Sequence, residues 1–166
     1  MTQVFEIKQG FFSLGGKFSI KDTFGISQYH VEGSFLQIPK EFLITDMSGN
    51  FISRITKKFL SLLPQFSVEL SDGTQFQIVK ELTFFKARYR IDNLNLTVQG
   101  DFWDMNFDLY QGSQLIARIS QEWLQLTSTY HVEVYDEAFN DLVISLVIAI
   151  DCVKADQAAA ASSASH

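Results

Sequence analysis

The sequence predicts a mainly β fold, an antiparallel meandering barrel in which strands that are consecutive in the chain are neighbours in the sheet. A hairpin-like unit repeats with a spacing of 24 residues, marked by Phe18, Phe42 and Phe66. Short runs of alternating apolar and polar residues, about ten to twelve of them, recur along the chain as in barrels and sandwiches. A continuous apolar segment near the C-terminus departs from this alternation and predicts a separate buried element.

Each repeat contains a first strand, a tight turn and a second strand. The first strands and turns read FSIKDTFG, FLITDMSG and FSVELSDG, and each segment ends on a glycine, at Gly25, Gly49 or Gly73. An Asp side chain can accept hydrogen bonds from the backbone ahead of it, and Gly adopts positive φ, so these segments predict tight turns. One hairpin and its connection fill the repeat, whereas a propeller blade needs about 40 residues, so a barrel is the better interpretation.

The second half of the chain contains less regular copies of the same pattern. Two strands flank Asp92-Asn93, a further hairpin turns near Gln111-Gly112, and the last alternating run covers residues 129–136. The strand pattern therefore continues up to the apolar segment, as expected for one all-β unit.

The apolar segment covers residues 138–153, and nine consecutive residues from Leu142 contain one polar side chain, that of Ser145. A membrane span needs about 20 apolar residues, so this shorter run predicts an element buried in the protein and no transmembrane segment. Val and Ile favour strands, whereas Asp136 and Asp141 suit the start of a helix. The residues alone leave the choice between helix and strand open.

A chain of 166 residues, 46% of them hydrophobic, has enough apolar surface for the core of one domain. We expect residues 1–153 to form that domain and residues 154–166 to be a flexible, low-complexity tail. The single cysteine, Cys152, cannot form an internal disulfide, and the N-terminus shows no apolar signal segment, which predicts a cytoplasmic protein. Residues 1–90 hold 11 Lys and Arg against 8 Asp and Glu, whereas residues 91–166 hold 2 against 11, which argues against nucleic-acid binding.

Three short segments resemble a known family. They are GDFW at Gly100–Trp103, ISQEW at Ile119–Trp123 and AIDCV at Ala149–Val153. Together with the repeated hairpins they resemble the LURP-one-related, YxjI-like proteins over residues 4–153, a family with bacterial members. The resemblance implies a fold like the tubby C-terminal domain and the phospholipid scramblases. That fold is a closed antiparallel barrel of about twelve strands around a central hydrophobic C-terminal helix, here residues 138–153.

The strongest candidate site is a row of cations in the segment FFKARYRI. Lys86, Arg88 and Arg90 alternate with apolar residues, so in a strand they share one face. A row of cations can bind phosphate by charge and, for Arg, by paired hydrogen bonds. Lys57 and Lys58 end the second hairpin and could join the row. The alternative for these residues is a solvated strand face whose lysines discourage aggregation.

Other polar or reactive residues favour structural roles. Asp101, Asp104 and Asp108 surround a turn and lack the defined loop of oxygens that a calcium or magnesium site needs. Cys152 lies in an apolar segment and is expected in the core. Trp103 and Trp123 are expected as packing residues. We therefore predict no catalytic residue, no metal site and no cofactor.

Three functional hypotheses follow. The first is a non-enzymatic binding module that holds an anionic phospholipid head group, or another phosphate ligand, on the basic strand face. The second is a protein-interaction or scaffold domain without a small ligand, which predicts an exposed apolar patch or an open strand edge. The third is an enzyme of unrecognised type, which needs a pocket with convergent polar groups. Under the first hypothesis, the predicted cytoplasmic protein would bind at the periphery of a membrane.

Overall fold

The computed structural model describes residues 1–8, 16–34, 40–58, 65–81, 88–124 and 127–164, with the side chains at 123–124, 127–128 and 159–164 excepted. The described elements are twelve strands, a short 3-10 helix and one α-helix. The strands are β1 (Gln3–Lys8), β2 (Lys17–Asp22), β3 (Ser27–Ser34), β4 (Glu41–Asp46), β5 (Phe51–Lys58), β6 (Gln65–Leu70), β7 (Gln75–Glu81), β8 (Arg88–Asp92), β9 (Thr97–Asp101), β10 (Asn106–Gln111), β11 (Gln114–Leu124) and β12 (Thr127–Val134). The 3-10 helix is Glu137–Phe139, and helix α1 is Asn140–Ala164.

All twelve strands belong to one antiparallel sheet. Its order is β8-β7-β6-β5-β4-β3-β2-β1-β12-β11-β10-β9, so almost every strand pairs with its neighbours in the chain. The β1–β12 pairing joins the two ends of the chain, with Phe5 opposite Val132. The predicted mainly β meander is confirmed.

The expected closure of the barrel is not confirmed. Strands β8 and β9 form the two ends of the sheet, and no ladder between described residues joins them. The linker between them carries Leu94 and Leu96, which pack against the core instead of making a tight hairpin turn. Farther along, Tyr89 of β8 stacks on Trp103, with ring centroids 4.3 Å apart and an interplanar angle of 3°. A ring contact therefore links β8 to the turn that follows β9, although no backbone ladder of described residues joins the two strands.

Helix α1 is enclosed by the sheet. Every residue from Val143 to Val153 is buried, and three helical turns without an exposed position require cover on all sides. The helix contacts β5, β6, β7 and β12. Burial of each large aliphatic side chain contributes about 1.5–3 kcal/mol as an upper estimate, so the helix supplies much of the core.

The helix that the family resemblance implied for residues 138–153 is present, and the α-helix begins at Asn140. Asp136 precedes the 3-10 helix, and its carboxylate accepts a hydrogen bond from the Ala138 amide. The helix continues past Val153 to Ala164. The flexibility expected of the tail stays a prediction. Within the described chain, no helix is long and apolar enough to cross a membrane.

The three repeated turns share one backbone geometry. Gly25, Gly49 and Gly73 have φ of 78°, 85° and 87°, as the sequence predicted. The third repeat differs in its carboxylate, because Leu70 occupies the position of Asp22 and Asp46. Asp46 accepts hydrogen bonds from the amides of residues 48 and 50, whereas Asp72 accepts one from residue 74. The two strands predicted around Asp92-Asn93 are β8 and β9, and the turn predicted near Gln111-Gly112 lies between β10 and β11.

Candidate functional site

The basic strand face has the alternation that the sequence predicted. Arg88 and Arg90 of β8 are exposed, whereas Tyr89 and Ile91 pack against the core. Lys86, the third member of the predicted row, lies outside the described residues. The row is therefore tested only in part.

The charge of Arg90 is already compensated. Its Nε lies 2.9 Å from a carboxylate oxygen of Asp92, and its Nη1 lies 3.2 Å from Glu81 on β7. Hydrogen bonds to Asp92 and Glu81 raise the pKa of Arg90. Exposed ion pairs of this kind contribute little to stability, but they reduce the positive potential available to a ligand.

Lys57 and Lys58 do not complete one cluster with the arginines. The register places Lys58 in one row with Gln65, Val79 and Arg90 across four strands. Three strand spacings of about 4.8 Å put Lys58 about 14 Å from Arg90. Lys57 belongs to the inward face and forms an ion pair with Asp156 of α1 at 2.7 Å. The described members of the expected five-cation site therefore do not form one cluster.

The end of the molecule that carries the tight turns is acidic, in contrast to the basic strand face. We call this the turn end and define it by turns 23–26, 47–50, 71–74 and 112–113, the linker 93–96 and the segment from residue 135 to the first turn of α1. Seven carboxylates of the described chain lie in or directly beside these segments, at Asp22, Asp46, Asp72, Asp92, Asp136, Glu137 and Asp141. The cations in or near the same region are Lys21, the N-terminus, Arg90, which pairs with Asp92, and Arg54, whose guanidinium lies 5.7 Å from the centroid of the Phe51 ring. The turn end is therefore strongly acidic.

An apolar patch lies on two neighbouring turns at this end. Phe24 is 87% exposed, Ile26 59%, Met47 49% and Phe51 38%. The turns are neighbours because β3 pairs with β4, with Tyr29 opposite Asp46. Single exposed apolar residues are common, whereas several on adjacent turns typically mark an interaction surface. These four residues are called the apolar patch below.

A cavity of about 240 Å³ opens at the turn end where β8 and β9 separate. Leucines from β6 and the linker, together with Phe139 and Leu142, form its apolar wall. Its polar lining comes from Ser71, Asp72, Thr74, Asn95, Gln111 and Asp141. The Tyr29 hydroxyl donates to Oδ1 of Asp141 at 2.9 Å. Burial and the Asp141 charge raise the pKa of Tyr29, so the phenol stays protonated.

The helix also carries a buried carboxylate, that of Asp151. The Tyr130 hydroxyl donates to Oδ1 of Asp151 at 2.7 Å, and Asp151 is 4% exposed. Burial raises the pKa of Asp151 to about 6, against the opposing effects of the Tyr130 hydrogen bond and Lys154. Nearby, Ser145 Oγ donates to the Asp141 carbonyl oxygen and lies 2.6 Å from Ser53 Oγ.

The remaining candidate residues have structural roles. Cys152 is buried, and burial raises the pKa of its thiol, which disfavours the reactive thiolate. Asp101 accepts a hydrogen bond from the Asp104 amide in the predicted turn, and Asp108 forms an ion pair with Arg118 at 2.8 Å.

Two further points concern packing and metal ions. Trp103 packs against the core, whereas the side chain of Trp123 lies outside the described part of the chain. Among the described residues, the His, Cys, Asp and Glu side chains form no group of three that could hold a metal ion.

Neither the apolar patch nor the cavity was found by sequence reasoning. Phe24 and Met47 stand inside the turn segments DTFG and DMSG, where polar residues are more usual, and this was an available signal. The cavity had no such signal, since its lining residues come from four separate segments of the chain.

Comparison with known proteins agrees with the resemblance of the three short segments. Residues 3–151 match the family model described as LURP-one-related. This chain belongs to the LURP-one-related family. This LURP-one-related protein is 32% identical to the uncharacterised protein YxjI of Bacillus subtilis strain 168 over 151 residues, which cover 90% of this chain and 91% of that relative. It also resembles an X-ray structure of a protein from Arabidopsis thaliana, with 16% identity, a TM-score of 0.60 and coverage of 92% and 91% of the two chains. The second likeness supports the fold alone.

Proposed function

We propose that this LURP-one-related protein is a non-enzymatic binding module whose turn end docks a basic partner protein. The observation that carries the proposal is the apolar patch, in which Phe24, Ile26 and Met47 are exposed on two adjacent turns and Phe51 is exposed directly after the second. Burial of a large apolar side chain at an interface gains about 1.5–3 kcal/mol, so a few such residues can anchor a complex.

The charge around the patch selects the partner. Hydrogen bonds from Asn50 lower the pKa of Asp46, so its carboxylate is ionised at neutral pH. Hydrogen bonds from Thr74 lower the pKa of Asp72 in the same way. A second copy of this chain, or an anionic membrane, would bring like charge against these groups. A partner with apolar anchors and surrounding Lys or Arg would meet complementary potential.

The test is photo-crosslinking followed by reconstitution. A benzoylphenylalanine at position 47 should capture a partner in the cells that produce this protein, whereas the same group at the exposed position 99 on β9 should not. The captured protein is then purified, and its dissociation constant is measured against the wild type and Phe24→Ser/Met47→Ser. We expect the double variant to weaken binding by at least about 30-fold, equivalent to about 2 kcal/mol.

Salt dependence supplies the second readout. Binding should weaken as salt rises, because the acidic groups around the patch attract a basic surface. Equal affinity for the wild type and the double variant would contradict the proposal. A control substitution, Gln99→Ala, should leave affinity unchanged.

A second candidate function is the binding of an anionic phospholipid head group or another phosphate on the strand face. The observation in its favour is that Arg88 and Lys58 are exposed, and neither forms an ion pair within the described part of the chain. We would measure liposome co-sedimentation with anionic lipid at two salt concentrations. Equal binding by the wild type and Arg88→Ala/Lys58→Ala would exclude this role for the two residues. This candidate also predicts a location at the periphery of a membrane. The cytoplasmic address and the tubby-like or scramblase-like relationship, inferred from the sequence on other grounds, stay predictions.

A further inference from the structure

We propose that the cavity at the turn end is a binding site for a small ligand that combines an apolar body with a cationic amine. The inference is separate from the docking of a partner protein, because it depends on the interior of the cavity and not on the apolar patch.

The size and lining of the cavity suit a small aromatic or branched aliphatic body. Leu94 and Leu96 come from the linker, Phe139 and Leu142 from the start of the helical region, and Leu70 from β6. An apolar cavity of about 150 Å³ is known to accept benzene. A cavity of about 240 Å³ can therefore hold a ring of that size together with a short polar chain.

The charge of the lining favours a cation. Two carboxylates, Asp72 and Asp141, face the cavity, and none of its lining residues is Lys or Arg. Tyr29 occupies one oxygen of Asp141, and the second oxygen accepts no hydrogen bond from the described residues. That oxygen is available to an ammonium group.

The helix dipole acts in the opposite direction but is weaker. The N-terminus of α1 lies beside the cavity and carries the equivalent of about half a positive charge. Two carboxylates outweigh this partial charge, and Asp141 itself stands in the first helical turn. The net potential in the cavity is therefore negative, and an amine is preferred over a carboxylate of the same shape.

The test uses three compounds that share a phenyl ring and a two-carbon chain. These probes are 2-phenylethylamine, 2-phenylethanol and 3-phenylpropionate, and their binding is followed by two-dimensional NMR of the labelled full chain. We expect 2-phenylethylamine to shift resonances of residues 94–96 and 139–142 and to bind at least about tenfold more tightly than the alcohol. The acid should bind most weakly.

Variants locate the site and separate it from the docking surface. Leu96→Trp should fill the cavity and abolish amine binding, and Asp72→Asn should reduce it without touching the Tyr29 hydrogen bond. Asp46→Asn makes the same chemical change on a neighbouring turn outside the cavity and should have no effect. Phe24→Ser should also leave amine binding intact, even if it abolishes partner docking. Equal affinities for the three probes, or amine binding unchanged by both Leu96→Trp and Asp72→Asn, would overturn the proposal.

Discussion

The tight turns of the repeated hairpins and the junction between β8 and β9 both connect consecutive strands, but different kinds of contact hold them in place. At each repeated turn, an Asp carboxylate accepts hydrogen bonds from amides close in the chain, as where Asp46 accepts from the amides of Ser48 and Asn50. At the junction, Tyr89 stacks on Trp103, and Lys154 of the helix donates to the Trp103 carbonyl oxygen at 2.8 Å. The turns depend on local sequence, whereas the junction depends on parts of the chain that meet only after folding.

The difference also separates the two kinds of surface. The local turns leave their tips free, and this is where the apolar patch and three of the seven carboxylates of the turn end, Asp22, Asp46 and Asp72, lie. The junction leaves the sheet open, and its linker lines the cavity. Both candidate sites are therefore consequences of how the strands are connected.

The largest effect should come from the helix around which the sheet packs. Ile148 is fully buried in α1, so Ile148→Asp places an unpaired charge in the core. The cost should exceed about 5 kcal/mol, which is comparable to the total stability of many domains. We expect circular dichroism and thermal melting to show an unfolded chain. Ile148→Val, the matched control, should cost about 1 kcal/mol. A cooperative melt for Ile148→Asp near that of the wild type would refute a central role for the helix.

Two glycines with positive φ should distinguish the local turns from the β9 edge. An added Cβ at Gly49, where φ is 85°, meets nothing within 4 Å, so Gly49→Ala should cost about 1 kcal/mol of strain. At Gly100, where φ is 109°, the Cβ would lie 2.7 Å from the Asn106 carbonyl oxygen and 3.1 Å from Phe107 Cα. Because the backbone of β10 cannot yield easily, Gly100→Ala should cost about 3–5 kcal/mol. Urea unfolding of the two variants would measure the contrast, and equal losses would contradict it.

The buried carboxylate on the helix predicts a dependence of stability on pH. The pKa of Asp151 is about 6 in the folded protein and about 3.9 in an unfolded chain. The folded state thus binds the proton more tightly, so this contribution to stability is complete below pH 4 and is lost as pH rises through 6. Its size is about 3 kcal/mol. Asp151→Asn should remove this loss, because the amide stays neutral and its oxygen can still accept from Tyr130.

The measurement is the difference in unfolding free energy between the wild type and Asp151→Asn at pH 4.5, 6 and 7.5. The variant should gain stability relative to the wild type as pH rises. Other titrating groups contribute equally to both proteins, so their effects cancel in this difference. Asp46 is one such group: its lowered pKa favours folding above about pH 4 and favours it less in acid. A difference that is constant over this range would show that Asp151 ionises normally.

The smallest of these effects is expected at the aromatic stack. Trp103→Ala removes a half-buried ring and its stacking on Tyr89, which should cost about 2 kcal/mol. Hydrogen exchange should accelerate in β8 and β9 and stay unchanged in the β2–β3 hairpin, because the lost contact is confined to the junction. Trp103→Phe keeps a stacking partner and should retain most of the stability. Uniform acceleration over the whole sheet would mean that the stack supports the entire fold.

Much of the fold could be predicted because its signals are local. The positive φ of the three repeat glycines, the strands around Asp92-Asn93 and the alternation of Arg88 and Arg90 with apolar residues follow from short-range geometry. The helix at residues 138–153 was less certain, since an apolar run suits a strand or a helix and the choice depends on its surroundings.

The arrangement of the predicted basic residues could not be inferred from the sequence in the same way. The pairing of Arg90 with Glu81 depends on which strand lies beside β8, and the separation of Lys58 from Arg90 depends on how many strands lie between them. Both the pairing and the separation depend on strand order and register, which the composition of the chain does not reveal.

By itself the sequence determined the repeated turns, the strand periodicity and the burial of the C-terminal segment, because each depends on the conformational preferences of neighbouring residues and on hydrophobicity. Only the tertiary structure decided that β8 and β9 stay unpaired among the described residues, that Arg90 and Lys57 are paired with carboxylates, and that exposed apolar side chains lie on and beside two adjacent turns. The physical reason is that these features arise between residues distant in the chain, whose mutual positions are set by the packing of the whole sheet around α1.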